Sequence, residues 1–90
     1  PVLYQSLKMI QAAIQEGTND YQGLCIEAIQ SLKNQGIKVD YVVVRRSEDL
    51  GVPSGTDRDL KILGAGWLGG TRLIDNLSVK VPSSEWHQET

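Results

Sequence analysis

The chain lacks the residues that most often announce chemistry. Its 90 residues include one cysteine and one histidine. Cys25 therefore has no partner for an internal disulfide and none for a metal-ligand pair, which fits a reducing cytoplasm. A basic excess is also missing: 9 Lys and Arg stand against 11 Asp and Glu, giving a net charge of −2 and a pI near 5.2. That balance argues against a phosphate-backbone partner, and beyond Arg45-Arg46 there is no basic cluster and no interleaving of aromatics. No apolar run approaches bilayer-spanning length and no signal peptide is visible, so neither nucleic acid nor membrane is an expected partner. Internal repeats and low-complexity segments are absent. An initiator methionine is missing too: the chain opens on Pro1 directly before a helical pattern, which reads as a piece of a longer protein.

What the chain does have is concentrated between Leu60 and Val81, LKILGAGWLGGTRLIDNLSVKV. Gly64-Ala65-Gly66-Trp67-Leu68-Gly69 matches the dinucleotide-binding fingerprint letter for letter. That fingerprint works only where a strand ends, glycines turn and a helix begins, its N-terminus facing a pyrophosphate. Here Leu73, Leu77, Val79 and Val81 alternate as in a strand, and too little chain follows for a crossover helix and another parallel strand. The cofactor reading fails on context. A hairpin turning on Gly69-Gly70 replaces it, because primed turns need positive φ and glycine adopts it without strain. Pairing outward from that turn sets Leu68 against Thr71, Trp67 against Arg72, Gly66 against Leu73, Gly64 against Asp75, Ile62 against Leu77 and Leu60 against Val79. One face is then apolar, interrupted by Asp75 opposite a glycine. The other brings Trp67 beside Arg72, within cation–π reach.

The rest of the chain predicts two helices and one more strand. Leu3, Leu7, Ile10 and Ile14 form a stripe over Pro1–Glu16, closed by Gly17. Thr18, Asn19 or Asp20 can cap a second helix running to about Gln35, with Tyr21, Leu24, Ala28 and Leu32 inward and Gly36 at its end. Ile37 to Arg46 reads as a strand, and Tyr41-Val-Val-Val44 is apolar on both parities, as expected of a strand covered on both faces. Ser47 to Asp59 is an exposed loop. The fold class is α+β: a helical hairpin followed by a three-stranded, mostly antiparallel sheet, in the order α-α-β-β-β. Gly64 and Gly66 are expected to permit close packing of a helix against the sheet.

Other chemistry-bearing residues have simple structural accounts. Cys25 falls beside the inward stripe of the second helix, as a buried inert thiol. His87, beside Trp86, is one ligand where zinc needs several. Arg45-Arg46 with Glu48-Asp49 reads as a solvated strand end. Ser54-Gly55-Thr56 lacks the lysine and helix start of a phosphate loop. Lys8-Met9-Ile10 lies within a helix pattern and lacks the serines of a nucleotidyl-transfer loop.

The segment GWLGGTRLIDN, preceded by a strand rich in alanine and glycine, resembles the C-terminal part of the pantoate–β-alanine ligases (pantothenate synthetases). KVDYVVVRRSEDL is similar to a strand of that family in which an Asp-Tyr pair opens an apolar run ending in Arg. Order and spacing agree from about Leu3 to Val79. The resemblance implies that residues 1–81 are a C-terminal lid domain, followed by a polar mobile tail over 82–90. It implies an ATP-dependent ligase that joins pantoate and β-alanine through a pantoyl adenylate, with Mg2+ accompanying the ATP. The family's histidine motif and Ser-Ser-Arg-Asn loop belong to a nucleotide-binding, Rossmann-like N-terminal domain and are absent here. The partner implied is that N-terminal domain of the same chain, within a cytoplasmic enzyme that is a homodimer at full length. This piece alone is expected to be inactive, with no cofactor of its own and no catalytic or metal-ligating residue.

Arg72, Asp75 and Asn76 are the candidate substrate contacts. For Arg72 a stack on Trp67 is the simpler account. Asp75 is more simply satisfied by backbone N–H groups or an arginine, and Asn76 by a turn or bulge. Two other readings stay open: a stand-alone interaction or ligand-binding module, and a regulatory domain of a different multidomain enzyme.

Overall fold

The computed structural model describes residues 1–82. The sequence readings of Trp86, of His87 and of the tail from Ser83 onward lie outside the described residues. The elements are α1 (Val2–Gln15), α2 (Tyr21–Asn34), β1 (Lys38–Arg46), β2 (Asp59–Leu68) and β3 (Thr71–Lys80). The three strands form an antiparallel meander in the order β1-β2-β3, and both helices pack on one face of it. This is the expected α-α-β-β-β arrangement.

Local sequence accounts for the helix ends. Asp20 is the N-cap of α2, and its Oδ1 accepts the Gly23 backbone N–H at 3.0 Å. Such a cap stabilises a helix by about 1 kcal/mol. Both helices stop on a glycine with positive φ, 106° at Gly17 and 88° at Gly36. Each glycine permits the paired bonds of a Schellman motif: Thr18 N–H donates to the Ala13 carbonyl, and Ile37 N–H to the Leu32 carbonyl, both at 3.0 Å. Ile37 and Leu32 are themselves in the core, so the cap and the hydrophobic contact arrive together.

Leu3, Leu7, Ile10 and Ile14 of α1 are all buried, as are Cys25, Ala28 and Leu32 of α2. They meet Val42 and Val44 of β1, Leu60 and Ile62 of β2, and Val79 of β3. Leu7, Ile14, Leu32, Leu60 and Ile62 are the largest fully enclosed side chains. Each contributes about 1.5–3 kcal/mol by leaving water. Gly64 lies under α1: a Cβ there would stand 2.9 Å from Leu3 Cδ1 and 3.2 Å from Leu7 Cδ2. Close helix packing at Gly64 is therefore as expected.

The β2–β3 register is the one read from the turn, from Leu68↔Thr71 through Leu60↔Val79. Gly69 carries a φ of 59° at the first central position of the turn. Three sequence expectations need correction. Gly66 accommodates the neighbouring strand rather than a helix, since a Cβ there would approach the Lys38 carbonyl oxygen at 2.8 Å. Asn76 is a regular ladder residue opposite Leu63, in neither turn nor bulge. β1 is covered on one face only: Val42 and Val44 are buried, but Tyr41 is exposed and Val43 half-buried. The apolar run on both parities signals a second apolar face, which the described residues leave open.

Candidate functional site

The hairpin end of the sheet holds the most organised polar group on the outer face. Trp67 and Arg72 are directly opposed on β2 and β3. The Arg72 guanidinium carbon lies 5.3 Å from the Trp67 ring centroid, a cation–π contact as read from the pairing. A second partner was not legible in the sequence. Pairing between β1 and β2 slips between Val39 and Tyr41, leaving Asp40 as the extra residue of a β-bulge. The bulge turns Asp40 outward, where its Oδ2 meets Arg72 Nη1 at 3.2 Å. The pair is roughly one-third exposed on each side, so it is worth no more than about 1 kcal/mol. Its effect is geometric: Arg72 is held between an aromatic face and a carboxylate.

Asp75 points to the opposite face, across from Gly64 and beside the first turn of α1. A cleft of about 290 Å³ there is lined by Pro1–Tyr4, Leu68 and Arg72–Asp75. No side chain caps α1, and its first turn holds no acidic residue. Asp75 thus sets a carboxylate near the positive end of that helix, a favourable placement. Its Oδ1 accepts the Asn76 backbone N–H at 2.8 Å, so backbone satisfaction of Asp75 is observed. Asn76 itself faces outward and is exposed. The three candidates do not form one cluster: by register Arg72 and Asn76 lie on the outer face and Asp75 on the inner one, and only Arg72 also borders the cleft beside Asp75.

A cleft of about 750 Å³ lies at the far end of the sheet among Ser47–Glu48, Thr56–Lys61 and Ser78–Lys80. Its basic groups already have partners. Lys80 Nζ lies 3.6 Å from Asp59 Oδ1, Lys61 Nζ donates to Ser78 Oγ at 3.2 Å, and Arg58 Nη1 donates to the Pro82 carbonyl. Arg46 grips both oxygens of Asp49 at 3.0 and 3.1 Å. That grip, with the Gly51 N–H, holds the Asp49 carboxyl below its ordinary value. The strand end is solvated, as read. In the Ser54 turn, Asp57 Oδ2 accepts both the Ser54 N–H (2.7 Å) and its hydroxyl (3.2 Å), so a carboxylate stands where a phosphate loop would place its anion.

Cys25 is buried, and burial pushes its thiol above the ordinary value despite the opposing pull of Arg45 and a backbone hydrogen bond with Val44. The burial expected of it is observed. Among the described residues no three His, Cys, Asp or Glu side chains gather as a metal site. No helix among them is long and apolar enough to cross a membrane. The fingerprint glycines Gly64 and Gly66 lie inside β2, with a tight turn and a strand after them.

Comparison with known proteins agrees with this geometry. The family model described as pantoate-beta-alanine ligase matches residues 1–78. A pantothenate synthetase of Neisseria meningitidis serogroup C is 46% identical over 82 residues, covering 91% of this chain and 30% of that protein. One from Pseudomonas fluorescens is 47% identical over 77 residues, or 86% of this chain and 27% of its own length. The crystal structure of pantothenate synthetase from Thermus thermophilus superposes with a TM-score of 0.73 at 26% identity, over 86% of this chain and 28% of that one. The chain spans less than a third of the length of these relatives.

Proposed function

This chain belongs to the pantoate–β-alanine ligase family, matching the C-terminal part of its members, and from that premise we propose that it is the lid domain of an AMP-forming ligase. The single observation that carries the reading is the family match across residues 1–78, with relatives more than three times as long. In the parent enzyme pantoate attacks ATP to give pantoyl adenylate and pyrophosphate, and β-alanine then displaces AMP to form pantothenate. The side chains described here do not fit an ATP–Mg2+ site of their own. Arg72 is held by Trp67 and Asp40, and the Ser54 turn already encloses the Asp57 carboxylate. ATP and Mg2+ are therefore assigned to an N-terminal nucleotide-binding domain of the same chain, in a cytoplasmic enzyme whose full-length form is a homodimer.

The contribution of residues 1–81 is then physical rather than chemical. A rigid sheet braced by two helices closes over the reacting groups and keeps water from a hydrolysable acyl adenylate. Arg72, Asp75 and Asn76 serve first as structure: a clamp across the hairpin end, a carboxylate at the α1 terminus and a ladder position. The isolated chain is inactive. Neither a stand-alone module nor a domain of a different enzyme has an observation in its favour.

The test is coupling. With the parent ligase intact, pantothenate and AMP appear in a ratio near one, as the reaction's stoichiometry requires. With residues 1–82 removed, AMP formation from ATP and pantoate outruns pantothenate formation. A truncated enzyme that stays fully coupled would sink the lid reading. Tight ATP binding by the isolated chain would oppose it equally.

A further inference from the structure

An antiparallel sheet with one free face ordinarily shows water a polar one. The outer face of this sheet is polar toward its ends but carries an apolar row across its centre. Tyr41, Ala65 and Ile74 form one cross-strand row, Val43 and Leu63 begin the next, and Trp67 follows toward the turn. Tyr41, Trp67 and Ile74 are exposed, and Ile74 is 67% so. This row spans all three strands. The exposed large apolar residues of the helices are Tyr4 and Met9 on α1, whose spacing puts them on different sides of the helix, and Ile26 on α2.

The charge around the face is also one-sided. Lys38, Arg45, Lys61, Arg72 and Lys80 occupy outward register positions, five of the chain's 9 basic residues. Among the described residues only the carboxylates Asp40 and Asp59 accompany them. A second copy laid face to face would oppose cation to cation. Laid against the acidic remainder of another copy, the face would make a head-to-tail contact, which builds rings or filaments rather than a simple pair. A tethered domain meets neither difficulty. Tethering supplies a high effective concentration, so a mixed face of modest apolar content suffices, as in interfaces between domains of one chain.

We propose that the outer face of the sheet is the surface with which this domain docks on the rest of its own ligase. The apolar centre covers the N-terminal domain, and the basic flanks face the negative charge of bound nucleotide. This rests on the lid reading and adds which side of the lid closes.

Cysteine labelling in the full-length ligase tests it. Ile74→Cys on the outer face and Ile26→Cys on α2 replace side chains of nearly equal exposure within the domain, 67% and 59%. Without a cover they react with a maleimide at similar rates, read peptide by peptide by mass spectrometry. Docking slows Ile74→Cys by at least about tenfold relative to Ile26→Cys, because labelling follows the fraction of time the face is open. Ser78→Cys, an outward and already polar position, repeats the reading where loss of Ile74 unfolds the domain. Equal rates, or slowing at Ile26→Cys instead, overturn the proposal. So does protection that vanishes on dilution, which assigns the cover to a second copy, or on removal of residues 83–90, which assigns it to that segment. Protection that deepens with ATP and pantoate supports both docking and closure. Protection indifferent to them keeps the docking face and refutes the lid.

Discussion

The two faces of the sheet are made from the same three strands, one residue out of phase, and they obey different rules. On the inner face Leu60 and Ile62 are wholly enclosed, and at Gly64 the side chain is omitted so that Leu3 and Leu7 of α1 can approach. On the outer face aromatic and aliphatic residues stand among cations, and the main fixed contact is the Asp40–Arg72–Trp67 clamp. The inner face is complete within the chain, and its apolar area is already out of water. The outer face has the composition of a partly apolar interface whose other half lies elsewhere. Folding and docking are thus divided between alternate residues of one sheet.

That division can be broken first at its strongest point. Ile62→Ala opens a cavity in the inner face and lowers stability by about 2–5 kcal/mol in urea unfolding, whereas Leu63→Ala, one residue along and half-buried on the outer face, falls well short of that. Gly64→Val is expected next. Its Cβ meets Leu3 at 2.9 Å, and overpacking of this kind lowers stability by about 1–3 kcal/mol. Gly55→Ala, where a Cβ meets nothing, serves as the neutral control. Asp20→Ala removes the α2 cap and lowers the unfolding free energy by about 1 kcal/mol without touching either face.

The outer clamp ranks lower still. Arg72→Ala shifts the folded domain's stability by less than about 1 kcal/mol, but changes the fluorescence of Trp67 by removing the cation from its ring. The smallest effect belongs to Asp49, whose carboxyl is held low chiefly by its hydrogen bonds with Arg46. A depressed carboxyl stabilises the fold above its unfolded value of 3.8, and that contribution is lost as pH falls through the lower folded value. Asp49→Asn therefore lowers the urea midpoint slightly at neutral pH, and its difference from the parent chain fades as pH falls below 3.8.

Much of the inner face was legible in the residue pattern. The spacing of Leu3, Leu7, Ile10 and Ile14, the glycines at 17 and 36, and the Gly69-Gly70 turn are short-range signals, and each specifies geometry within a few residues. The hairpin register follows from the turn alone, because pairing proceeds outward from it without choice. The candidate site was less legible. Trp67 against Arg72 comes from that same register, but Asp40 reaches Arg72 only through a bulge in the pairing of strands joined by a long loop. Gly66 reads as a helix-packing glycine for the same reason: its true close neighbour is the backbone at Lys38, distant in sequence.

Residue order alone specified the elements, their caps, the β2–β3 register, the inward stripe and the family, because these rest on periodicity and turn chemistry along one stretch of chain. Three-dimensional packing settled the rest: the bulge at Asp40, the clamp on Arg72, the separation of Asp75 from Arg72 and Asn76, and which side of β1 the helices cover. The reason is physical. An apolar run such as Tyr41–Val44 states that both faces of a strand exclude water well, but only the packing of distant segments determines which face the chain covers itself.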